Sequence, residues 1–161
     1  MLKNINVPGV LISGLNILAS ICFSFFLTHT LTNNNDALNL VANVFSILSG
    51  FLLLVITMSG ENSVIMNNIS ALDAANQEKR FLMRFNKYYL LFLLYIFTLA
   101  LIFIFYLISK ETQQKDEWFL IAKSLIAHLI SFLTCFSFIQ STFIPLKIKE
   151  LFKEKRDLNT K

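Results

Sequence analysis

The sequence predicts an all-helical integral membrane protein, a four-helix bundle with both termini in the cytoplasm. Three observations carry that fold class. The 161 residues are 55% hydrophobic and only 15% charged, with a mean hydropathy of +0.62. A soluble domain carries about 45–50% apolar and about 25% charged residues. The charges are missing from four long stretches, and the Lys and Arg residues collect on one side of the membrane those stretches define. Four Gly and two Pro exclude a collagen-like or linker-rich chain, and the low charge excludes a disordered one. One core of this size cannot hide so much apolar surface, so lipid must be the solvent for part of it.

No charged side chain lies between Lys3 and Asp36, between Asp36 and Glu61, or between Lys87 and Lys110. From Lys123 to Lys147 the only titratable side chains besides Cys135 and the two lysines at the ends belong to His128. A spanning helix needs about 20 mostly apolar residues, because about 30 Å of hydrocarbon is crossed at about 1.5 Å per residue. Each gap clears that length, placing spans at 10–30, 38–58, 88–109 and 119–143. Each must be helical, since only a helix closes its backbone hydrogen bonds within one segment. The first span follows Lys3 as a secretion signal would, yet it has no small-residue cleavage site after it. It is expected to be an uncleaved anchor.

The N-terminal stub, the second loop and the C-terminal tail together hold eleven Lys and Arg, and the other side holds Lys110, Lys115 and Lys123. The excess predicts cytoplasmic termini. The net charge of +4 is therefore a topology signal. It meets anionic lipid headgroups, and no direct nucleic-acid binding is expected.

Ser70-Ala71-Leu72-Asp73 has the S-x-x-D form of a helix start. Residues 71–87 contain no Gly or Pro and are expected to form a helix running into the third span. Residues 1–146 are read as one four-span domain and 147–161 as a basic amphipathic tail, set off by Pro145, which should interrupt the helix leaving the membrane. In the tail, Leu151 and Phe152 recur near helical spacing among Lys147, Lys149, Lys153, Lys155 and Arg156. The tail either lies on anionic lipid or, with Lys79, Arg80 and Arg84, docks a cytoplasmic protein partner. Trp118, Tyr88 and Tyr89 are expected at the membrane interfaces.

Polar residues in lipid are the best functional clues. The first span carries Gly9, Ser13, Asn16, Ser20 and Ser24 on one stripe. The second carries Asn39, Asn43, Ser46 and Gly50, with Ala42, Ser46 and Gly50 as a small-residue ladder. The fourth carries Ser124, His128, Ser131 and Cys135 on one face, followed by Gln140, Ser141 and Thr142. The third is nearly bare of such residues and is expected to be the most lipid-exposed. Gly9, Ser13, Ser20, Ser24, Ala42, Ser46, Gly50 and Ser131 let helix backbones approach, and the polar groups then bond between helices. Alternatively the stripes line a pore in a homo-oligomer. Running the topology through, His29, Asn39, Asn43, Lys123 and His128 fall toward the outer half, and Asn16 and Gln140 toward the inner half. His128 is read as a packing histidine, with a proton relay as the alternative, and Lys123 is expected to snorkel to the interface. Cys22 and Cys135 fit no metal or CxxC spacing and are expected to be small buried side chains.

All ten acidic residues lie in the expected loops or the tail, which removes the embedded carboxylate that ion-coupled transport ordinarily uses. No phosphate-binding loop, zinc-protease or nucleophile-elbow motif is present. No catalytic residue, metal or cofactor is expected, and the chain is not read as an enzyme. In span number and size it resembles small four-span bacterial membrane subunits. The membrane component of Kiwa-type phage-defence systems is one such, and four-span colicin immunity proteins are another. That resemblance implies a bacterial inner-membrane sensor or anchor with a separate cytoplasmic effector, acting in phage defence. A pore-forming effector and a bacteriocin-immunity protein are the alternatives.

Overall fold

The computed structural model describes residues 7–61, 71–110, 117–146 and Lys149. Apart from Asn33, Asn34 and Phe143 these residues are helical, with no strand among them. The elements are α1 (Val7–Thr32), α2 (Asn35–Glu61), α3 (Ala71–Lys110) and α4 (Glu117–Thr142). All four are long and apolar enough to cross a membrane, over Leu11–Thr32, Asn35–Thr57, Phe85–Lys110 and Glu117–Leu146.

Local chemistry explains the element ends. The Asn34 side-chain oxygen accepts from the backbone N–H groups of Asp36 and Ala37, at 3.0 and 3.1 Å. That is an N-cap, and it starts α2 after a two-residue link from α1. Asp36 in the first turn favours the positive end of the helix dipole. At the far end, α4 stops at Thr142, ahead of Pro145, which lacks an N–H and crowds the carbonyl four residues back. The helix expected from residue 71 begins at Ala71 and continues without a break to Lys110, 40 residues in all. Ser70, which suggested that start, lies outside the described residues, as does the tail apart from Lys149.

The chain forms two compact units. One holds α1 and α4, and the other holds α2 and α3. In the α2/α3 unit the buried side chains are mostly large and apolar. Leu38, Val41, Phe45, Leu52 and Val55 come from α2, and Tyr88, Tyr95, Leu101, Ile102 and Phe105 from α3. With the buried Ser49 and Thr98 included and Leu101 set aside, the steps from Leu38 to Val55 and from Tyr95 to Phe105 are three or four residues, the seam of a heptad packing. The Phe45 and Tyr95 rings stack at its centre with centroids 5.1 Å apart. Thus α3 buries a continuous face against α2 and is not the bare lipid-facing helix its composition suggests. Tyr88 joins that face, while Tyr89 and Trp118 are exposed.

In the α1/α4 unit the pattern reverses. The α1 residues known to be buried are Asn16, Ser20, Ser24, Thr28 and Thr32, all polar and spaced by four. Leu11, Leu15, Leu18, Phe25 and Phe26 point outward, Phe26 with 82% of its surface exposed. In water this helix would be inside out. In hydrocarbon it is the low-energy arrangement, because lipid solvates the apolar side chains and the partner helix shields the polar ones. From α4, Ala127, Ile130, Ser131, Leu133, Thr134 and Ser137 are buried.

Candidate functional site

The polar seam of the α1/α4 unit is the main concentration of unusual chemistry in the described residues. It extends from Asn16 to Thr32, about 24 Å at about 1.5 Å per residue. Most of its hydroxyls bond within their own helix. Ser20 donates to the Asn16 carbonyl at 2.8 Å, Thr32 to the Thr28 carbonyl at 2.8 Å, and Ser131 to the Ala127 carbonyl at 3.1 Å. Thr28 donates to the Ser24 carbonyl. A short hydroxyl side chain always has the carbonyl four residues back within reach, so it needs no partner helix to be satisfied. Ser24 is different, because it reaches across and donates to the His128 carbonyl at 2.9 Å. The Ser24–His128 contact is thus a bond between helices of the kind the stripes suggest.

Asn16, Ser20, Ser24 and Ser131 lie in this seam, whereas Gly9 and Ser13 are exposed on α1. Thr28 and Thr32 complete the seam. A stripe read from Gly9 to Ser24 omits them, although they continue the same four-residue spacing.

The other polar side chains that the sequence singles out in this unit are exposed or half-buried. His128 is exposed on α4, with Nδ1 2.8 Å from the Ser124 carbonyl. A carbonyl only accepts, so Nδ1 carries the proton. His29 is exposed, and its Nε2 accepts from the Asn33 amide at 2.8 Å. Lys123 and Gln140 are half-buried. Cys22 is exposed and Cys135 half-buried, both as free thiols. Cys22 is therefore not the buried side chain its place in a span suggests, because it falls on the outward face of α1.

In the α2/α3 unit the stripe of Asn39, Asn43, Ser46 and Gly50 is exposed, with Asn39 close enough to α3 to bond Tyr106. Ala42 is half-buried. Ser46 bonds back to the Ala42 carbonyl at 2.9 Å, and no atom would meet a Cβ added at Gly50. The aromatic surface of α3 packs better on Phe45 and Leu52 than on a row of small residues, and that selects the apolar face. One polar link does join the pair, since the Tyr106 hydroxyl lies 3.1 Å from Asn39 Oδ1 and 3.2 Å from the Asn35 carbonyl.

Among the described residues, no three His, Cys, Asp or Glu side chains come together to hold a metal ion. Of the basic candidates for docking, Lys79, Arg80 and Arg84 lie on α3 before its apolar part, with Lys79 exposed, and Lys149 is exposed. Lys147, Leu151, Phe152, Lys153, Lys155 and Arg156 lie outside the described residues. The chain matches no family model, no curated protein and no solved structure.

Proposed function

We propose that this chain is a non-enzymatic membrane subunit that couples a bilayer to a protein partner in the cytoplasm. One observation carries the reading. α3 is a single helix whose apolar part begins at Phe85, and its 14 residues before that point carry Asp73, Glu78, Lys79, Arg80 and Arg84. At about 1.5 Å per residue they project about 21 Å from the span. A continuous helix passes a tilt or a rotation in the bilayer to its far end, which a flexible loop cannot do.

The excess of Lys and Arg on the loops at that side makes it cytoplasmic, as in a bacterial inner membrane. In this reading the basic residues of the α3 extension and of 147–161 bind the partner and anionic headgroups together. Affinity purification in mild detergent then recovers a soluble protein in stoichiometric amount, and removing residues 147–161 loses it. Recovery of the chain alone at native abundance contradicts the proposal.

A pore in a homo-oligomer is the second reading, favoured by the exposed row of Asn39, Asn43 and Ser46 on α2. It predicts dye leakage from reconstituted liposomes that Asn43→Leu reduces. Vesicles that stay tight count against it.

A further inference from the structure

Three buried polar atoms of the α1/α4 unit have no hydrogen-bond partner: Asn16 Nδ2, Thr134 Oγ1 and Ser137 Oγ. Their residues are 1%, 3% and 0% exposed. Thr134 and Ser137 leave unused the Ile130 and Leu133 carbonyls four residues back, although Ser20 and Ser131 in the same seam take theirs. Unpaired groups of this kind are rare in a folded interior, because each loses its water without gaining a replacement.

The three atoms belong to one level of the pair. A chain that crosses a bilayer four times runs its first and fourth spans in opposite directions, and the Ser24–His128 bond sets their register. Eight residues back from Ser24 is Asn16, and eight residues on from His128 is Phe136. Asn16 therefore stands level with the turn from Thr134 to Ser137.

We propose that this level of the α1/α4 seam is a binding site for water, held between Asn16, Thr134 and Ser137 inside the span. The chemistry selects that ligand. A carboxamide donor and two hydroxyls, which both donate and accept, match a molecule that does the same. Buried waters make about three such bonds to groups otherwise unsatisfied. No side chain of the three carries a charge to offset the dehydration of an ion. Their near-complete burial leaves no opening for a larger guest. The site stands independently of the coupling role and concerns only how this helix pair is held.

The test is water-edited solid-state NMR on the full chain, isotopically labelled and reconstituted in liposomes. Magnetisation from water should reach the Asn16 side-chain amide and the Ser137 Cβ several-fold faster than the Ser20 and Ser131 Cβ atoms, which share the seam and bond back. Equal build-up at Ser137 and Ser131 overturns the proposal. In Asn16→Leu the transfer to Ser137 should fall to the Ser131 level, and in Ser137→Ala the transfer to the Asn16 amide should fall similarly. Transfer that persists unchanged in either folded variant also overturns it.

Discussion

The α1/α4 pair buries Asn16, Ser20, Ser24, Thr28 and Thr32 from its first helix, while the α2/α3 pair buries Leu38, Val41, Phe45, Leu52 and Val55 from its own. Both pairs sit in helices long and apolar enough for a membrane, yet they use opposite materials. The contrast follows from the solvent. Lipid tails are as apolar as a leucine side chain, so burying leucine against a neighbouring helix gains little by transfer. What remains is close contact between atoms, or the removal of polar groups from hydrocarbon. The α2/α3 pair uses the first, with large side chains and a ring stack. The α1/α4 pair uses the second, with small polar side chains on a four-residue spacing, the row along which small residues let helices approach.

The contrast can be broken most forcefully at the ring stack. Phe45→Ala removes a side chain of 0% exposure that stacks on Tyr95. Lipid cannot refill the gap between two helices, so unfolding in detergent should become easier by about 3 kcal/mol. A Tm unchanged from the parent would show that aromatic contact does not hold this pair.

The next effect compares one substitution in two places. Ser20→Leu forces a branched side chain into the fully buried α1/α4 seam and should destabilise by about 2 kcal/mol through overpacking. Ser46→Leu adds the same atoms to an exposed position of α2 and should change stability by about 0.5 kcal/mol or less. Chemical unfolding of the two variants side by side decides the matter, and equal losses would mean that the α2 stripe is packed as tightly as the α1 seam.

The smallest effect concerns the bond that joins α1 to α4. Ser24→Ala deletes the donor to the His128 carbonyl. Hydrogen bonds between membrane helices average about 0.6 kcal/mol, so a Tm shift of a few degrees is expected. A loss of several kcal/mol would show that the seam depends on that one contact instead of on the whole polar row.

The two pairs also differ in how readily a sequence shows them. The four spans are legible because Lys3, Asp36, Glu61, Lys87, Lys110, Lys123 and Lys147 bracket them. The α3 extension is legible because nothing between Ala71 and Lys87 breaks a helix. The α1 seam is partly legible, since polar residues are scarce in that helix and Asn16, Ser20 and Ser24 stand out by spacing. The pairing of helices is not legible. The α2 row of Asn39, Asn43 and Ser46 has the same form as the α1 row, and only the aromatic face of α3 turns α2 onto Phe45 and Leu52 instead. An apolar helix in lipid gives no amphipathic signal for which side meets a neighbour. The unpaired hydroxyls of Thr134 and Ser137 are also invisible in sequence, because the choice between an own-helix carbonyl and another partner is a rotamer.

The central claim is that α1 turns its polar row inward and its apolar side chains to lipid. Site-directed spin labelling tests it most directly, with single cysteines introduced along α1 of the reconstituted protein after Cys22→Ser and Cys135→Ser. At Leu18 and Phe25 the label should be mobile, open to lipid-soluble oxygen and closed to a water-soluble nickel chelate. At Ser20, Ser24 and Thr28 it should be immobile and closed to both. High oxygen access at Ser24 and Thr28 with shielding at Phe25, or nickel access at Phe25, would contradict the account.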